Sequence, residues 1–162
     1  MKYVNQIRAL QWESFCHPRT EAILSWVYEF YANARDSNGE KVFVRGKSVE
    51  FSAKVINDLF DLDDTTQDGY ANILSSVSIE EMMAVVCCTP ESEWASQSRK
   101  TLRATCLNRE AKVWLLFINA GVMPTRHLNT LTIDKVALIY SILKGIKLNM
   151  GELISTLIKQ KF

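Results

Sequence analysis

The stretch Thr132-Ile-Asp-Lys-Val-Ala-Leu-Ile-Tyr-Ser-Ile-Leu-Lys144-Gly145 decides the fold. Ile133, Val136, Ala137, Tyr140 and Leu143 recur at helical spacing, and Leu138, Ile139 and Ile142 widen that face until few polar positions remain. A segment so apolar on nearly every side is a central, largely buried helix. Thr132 stands where an N-cap belongs, and Gly145 suits the left-handed residue that ends a helix.

Reading outward, the other segments arrange themselves around this helix. Downstream, Asn149 can start a last helix with Leu153, Ile154, Leu157 and Ile158 along one stripe. Upstream, Asn108 can cap a helix through Trp114 and Ile118 that stops near Gly121 and Pro124. Residues 90 to 107 carry no clear period. Ser78 and Glu81 have capping-box spacing ahead of Met82, Met83, Val85 and Val86, and Thr89-Pro90 ends that helix. Asp61 to Gly69 reads as an acidic, polar loop, preceded by a Ser52-capped helix with Val55, Ile56, Leu59 and Phe60.

Before Ser52 the period changes from helical to alternating. Val42-Phe43-Val44, then Arg45-Gly46-Lys47, then Ser48 to Phe51 predicts a short β-hairpin with a glycine-containing turn. Asp36-Ser-Asn-Gly39 ends an earlier helix that Thr20 can cap, with Ile23, Leu24, Trp26, Val27, Phe30 and Tyr31 on a wide apolar face. A first helix is expected from Tyr3 to Phe15, stopped by His17-Pro18. About seven helices and one hairpin near residues 42–51 make a mainly α, single compact domain over residues 1–162.

Composition supports a packed globular chain. It has 162 residues, 48% hydrophobic, 23% charged and 10% aromatic, and no repeat or low-complexity tract. Unbroken apolar runs such as Val113 to Ile118 are far below the ~20 residues that span a bilayer. The N-terminus lacks a continuous apolar core, so no secretory signal is expected. The four cysteines, Cys16, Cys87, Cys88 and Cys106, are then expected as reduced thiols, with at least one of the neighbours Cys87 and Cys88 a small buried hydrophobe. The compartment reads as intracellular, cytoplasmic or nuclear.

The net charge of +1 hides a segregation. Residues 55–98 hold nine acids and no Lys or Arg, whereas residues 99–162 hold eleven bases and three acids. The total excludes a wholly basic coat but leaves room for a local basic surface. Arg99, Lys100, Arg103, Arg109 and Lys112 are the candidate phosphate contacts, with salt-sensitive, sequence-independent affinity expected of them. Their alternative role is a solvated face, or pairing with the acidic segment.

Other chemistry finds little footing. Asp64, Thr66, Asp68 and Gly69 imitate the opening of a calcium loop, but Ser75 stands where the bidentate Glu belongs. Cys16, His17, Cys106 and His127 lack the local pairing of structural zinc sites. The acidic residues bunch in one loop instead of at strand ends, as a two-metal nuclease would need. No phosphate-cradling or nucleophile-elbow motif occurs. Catalytic residues, metal ligands, cofactors and a small-molecule substrate are therefore all expected to be none.

Several segments together carry a resemblance. Trp26-Val-Tyr-Glu-Phe-Tyr-Ala-Asn33 precedes Val42-Phe-Val-Arg-Gly-Lys-Ser-Val-Glu-Phe-Ser52, followed by Ile56-Asn-Asp-Leu-Phe-Asp-Leu62. Later come Ala111-Lys-Val-Trp114 with Phe117-Ile118, then Met123-Pro-Thr-Arg-His127. Leu138 to Gly145 leads on to Asn149-Met-Gly151. This order, from about Trp12 to Ile158, resembles the putative plant transposon protein domain, with weaker similarity to the plant mobile domain. The resemblance implies a transposable-element-derived plant module without established catalytic residues. It also implies a longer family member of which this chain is a truncated copy, and glycine in place of Asp61. The residues explain the same motifs structurally, with Trp26, Phe30 and Tyr31 as core anchors and Trp114 and Phe117 on one helix face.

The expected function is non-enzymatic, acting through protein–protein or self-association. Leu153, Ile154, Leu157 and Ile158 are the candidate association surface. A nucleic-acid-binding module using the 99–112 stretch is the alternative, and an inactive nuclease or transposase remnant the third.

Overall fold

A computed structural model describes residues 2–17, 21–34, 39–64, 69–89, 94–96, 101–125 and 127–160. In chain order these form α1 (Lys2–Ala9), α2 (Glu13–Cys16), α3 (Leu24–Ala34), β1 (Lys41–Val44), β2 (Lys47–Glu50), α4 (Ala53–Phe60), α5 (Gly69–Ser76) and α6 (Ile79–Val86). There follow β3 (Trp94–Ser96), β4 (Thr101–Arg103), α7 (Arg109–Phe117), β5 (Thr130–Thr132), α8 (Ile133–Lys144) and α9 (Met150–Lys159). The protein is mainly α. Among them no helix is long and apolar enough to cross a membrane. The chain divides into two compact units, one of Met1–Thr66 with Asn149–Phe162 and one of Gln67–Leu148.

In the first unit the expected single helix over 3–15 is broken into α1 and α2. Gln11 takes a left-handed φ of 59° and Trp12, 2% exposed, is drawn inside. Burial of the large indole outweighs helical continuity. Thr20, the expected cap of α3, lies outside the described residues, and α3 begins at Leu24. The hairpin forms as expected. Val42 pairs with Val49 and Val44 with Lys47 around a two-residue turn in which Arg45 and Gly46 both have positive φ. That conformation matches the natural twist of the strands.

Ser52 then caps α4, its hydroxyl accepting from the Val55 amide. Asp61 leaves α4 in the left-handed conformation, φ 55° and ψ 46°. Ala34, Val42, Val44, Phe51 and Ile56 form the core of this unit, with Phe30, Phe60, Ile154 and Ile158 packed against them.

The second unit is organised around α8, whose residues Lys135 to Ile142 are all buried, as its sequence predicts. α5, α6 and α7 pack on it. Ser78 and Asn108 cap α6 and α7 as expected, accepting from the Glu81 and Ala111 amides. The capping box is only half formed, because the Glu81 carboxylate accepts from the Tyr140 hydroxyl of α8 at 2.9 Å. Gly145 ends α8 with φ 68°.

Three features differ from expectation. Gly69–Ser76 is helical, starting at the residue that closes the expected acidic loop. A second sheet exists, in order β3-β4-β5 and antiparallel throughout. Thr132 belongs to β5 and makes no side-chain cap. Leu102 and Leu131, paired across β4 and β5, are both fully buried, which explains why three-residue strands persist here.

Candidate functional site

The stripe expected as an association surface lies on α9, and its position follows from one buried amide. Asn57 of α4 is 1% exposed; its Oδ1 accepts from the Gly151 amide at 2.8 Å and its Nδ2 donates to Asn149 Oδ1 at 2.9 Å. Asn149 Oδ1 also accepts from the Glu152 amide at 3.0 Å, capping α9. The two asparagines thus satisfy two of the orphan amides at the start of the helix. At Gly151 the helices approach so closely that a Cβ would stand 2.1 Å from the Ala53 carbonyl oxygen. This clamp turns Leu153 inward, where it is buried, and packs Ile154 and Ile158 on the core of the first unit. Leu157 is half-buried.

An open apolar surface among the described residues of this unit lies on α3. Leu24, Tyr28 and Tyr31 occupy i, i+4 and i+7 and are 66%, 70% and 41% exposed. Such a spacing places them on one side of the helix. Ala34 and Phe30 face the core, Phe30 meeting Phe51 edge-on with ring centroids 5.6 Å apart. Of the expected anchors, Phe30 therefore packs inside, while Trp26 and Tyr31 stay about half exposed.

The helix is pinned by polar contacts to the hairpin. Asn33 Nδ2 donates to the Phe43 carbonyl at 2.6 Å, and the Arg45 amide donates to Glu29 Oε1 at 2.8 Å. The Arg45 guanidinium lies 3.2 Å from Glu29 Oε2. Phe43, between buried Val42 and Val44, is itself 67% exposed. The signal for this surface is present in the sequence: α3 carries more large apolar residues than one buried face can cover.

Of the basic candidates, Arg99 and Lys100 lie outside the described residues. Arg103 on β4 and Arg109 and Lys112 on α7 are exposed, and none makes an ion pair with a described residue. Arg109 and Lys112 share a face at i, i+3. Arg109 sits at the first position of α7, where the helix dipole disfavours a cation, so it does not serve the helix.

The metal candidates are dispersed. Thr66 and Asp68 lie outside the described residues, and the Ser75 hydroxyl donates to the Asn72 carbonyl of its own helix. Asp64 Oδ1 accepts from Asn57 Nδ2 at 3.4 Å. Cys16 and Cys106 are half-buried and His17 and His127 exposed. Among the described residues, no three His, Cys, Asp or Glu side chains gather as metal ligands.

Over residues 8–161 the chain matches the sequence profile of the putative plant retrotransposon-related domain. The chain belongs to that family. No curated protein and no solved structure matches it. Membership accounts for the plant transposon-related motifs, and the fold shows what they do in this retrotransposon-related domain. Asn57, Asn149 and Gly151, distant in sequence, build the α4–α9 clamp. Arg45 and Gly46 make the hairpin turn, and Glu29 and Asn33 fasten α3 to it.

Proposed function

We propose that this retrotransposon-derived module is non-enzymatic and acts inside the cell, in cytoplasm or nucleus, by protein association, with a second copy as the simplest partner. The observation that carries this reading is the outward face of α3, where Leu24, Tyr28 and Tyr31 remain exposed while α9 is committed to its own core. Large apolar side chains grouped on a rigid helix are the usual anchors of interfaces, and truncating one such anchor costs about 2 kcal/mol of binding. Uncharged side chains at 24, 28 and 31 suit a two-fold pairing in which each copy offers the same face.

Sedimentation equilibrium of the full chain from micromolar to millimolar concentration tests it. Reversible association is expected, weakened at least tenfold by Tyr28→Glu with the thermal midpoint unchanged. A monomer throughout, or association indifferent to Tyr28→Glu, overturns the reading.

A second reading, nucleic-acid binding, is favoured by the exposure of Arg103, Arg109 and Lys112, none of which pairs with an acid among the described residues. It predicts affinity for duplex DNA with a log–log salt slope of about −3 for three phosphate contacts. An Arg103/Arg109/Lys112 alanine variant that binds as well as the parent would remove it.

A further inference from the structure

Two of the four thiols lie opposite each other in the second unit. Cys87 forms an isolated antiparallel bridge with Leu107, flanked by Asn108 N–H donating to the Val86 carbonyl and Cys88 N–H donating to the Cys106 carbonyl, both at 2.9 Å. One step out from that bridge, Cys88 and Cys106 are therefore the facing pair. Cys87 and Leu107 are buried, whereas Cys88 is exposed and Cys106 half-buried, so the facing pair lies nearer the surface than the bridge residues. The Cys88 thiol already leans across, donating to the Leu107 carbonyl at 3.4 Å.

We propose that Cys88 and Cys106 are a reversible redox pair that closes to a disulfide under a low-molecular-weight disulfide oxidant of the glutathione class. Facing residues of an antiparallel pair have Cα atoms about 5.5 Å apart, inside the range a disulfide spans, while Cβ atoms at about 5 Å must close by roughly 1 Å. Cys106 ends a short 3-10 turn, Ala104–Cys106, and closing the bridge requires that turn to shift by this distance. Such a bridge is strained, and strained bridges are the readily reduced ones.

In the reaction the Cys88 thiolate, the more accessible, attacks one sulfur of the oxidant and expels one small thiolate. The Cys106 thiolate then attacks the Cys88 sulfur of the mixed disulfide and expels the second. Two electrons pass from the protein thiols to the oxidant, and the two protons end on the two released small thiols. The bridge ties the end of α6 to the start of α7 and closes the chain between them into a covalent loop. Cys16 is a poor competitor, since burial first and the Glu13 carboxylate second push its thiol above the ordinary value.

Native oxidation of the full chain with glutathione disulfide, then alkylation, digestion and mass mapping, tests the pair. The expected product is a monomer lighter by about 2 Da, carrying one linked Cys88–Cys106 peptide that dithiothreitol reverses. Cys88→Ser should abolish the linkage, and Cys87→Ser should leave it intact. A stable glutathione adduct on Cys88 with Cys106 free, a Cys87–Cys88 linkage or an intermolecular disulfide would each overturn the proposal. Mapping of the unsubstituted chain decides among these outcomes even where a variant fails to fold.

Discussion

Replacing Gly151 by alanine tests the clamp on which the first unit depends. The added methyl would lie 2.1 Å from the Ala53 carbonyl oxygen, 2.5 Å from Asn57 Oδ1 and 2.7 Å from Asn57 Cγ. The nearest of these is backbone, so no side-chain rotation relieves it. To reach ordinary van der Waals contact, α4 and α9 must separate by more than ~1 Å, a misfit costing about 1–3 kcal/mol. That separation also breaks the 2.8 Å hydrogen bond from the Gly151 amide and strands a buried Asn57 oxygen, at about 1–3 kcal/mol.

Better helix propensity returns at most ~1 kcal/mol, leaving a net loss of about 3 kcal/mol. Urea unfolding of the full chain followed by circular dichroism measures it, and the midpoint should fall by about 1–2 M. Gly121→Ala is the matched control, because a Cβ there meets nothing within 4 Å. A loss below about 1 kcal/mol for Gly151→Ala, or equal losses at the two glycines, would refute the reasoning.

Asp61→Gly should stabilise the chain by about 0.5–1 kcal/mol, since Asp61 ends α4 in the left-handed region that glycine occupies without strain; an unchanged thermal midpoint would contradict this. Ser78→Ala should cost about 1 kcal/mol through the lost cap on the Glu81 amide, read by the same urea titration, and a neutral result would place the start of α6 elsewhere. Burial first, and then the charge of the Asp134 carboxylate, which accepts a hydrogen bond from the hydroxyl at 3.2 Å, hold the Tyr70 phenol above its ordinary value of 10.0. The folded chain keeps a proton the unfolded chain releases, so this contribution is complete below pH ~10 and lost as the pH rises beyond it. Thermal melts at pH 9 and pH 11 should show a fall that Tyr70→Phe reduces, and an equal fall in both chains would exclude Tyr70 as its source.

Local signals explain what the sequence revealed. Ser52, Ser78, Asn108 and Asn149 cap their helices because a cap needs only its own next three residues. α8 was legible because burial on all sides leaves a continuous apolar pattern. What depended on distant partners was hidden. β4 and β5 are three residues each and persist through the buried Leu102–Leu131 pair, and Thr132 is taken up by that sheet instead of capping α8. The break at Gln11 follows from Trp12 entering the core.

The candidate surface divides in the same way. The stripe on α9 was readable as apolar, but its inward direction is set by Asn57, over ninety residues earlier. On α3, aromatic residues on two sides look alike in sequence, and only the docking of Phe30 on Phe51 separates the inner face from the outer.

Hydroxyl-radical footprinting of the full chain at low and high protein concentration tests the association reading most directly. Modification of Tyr28, Tyr31 and Leu24 should fall together as concentration rises, while the buried Leu153 stays unmodified at both. Unchanged modification across the α3 face, with protection arising elsewhere, would contradict the account.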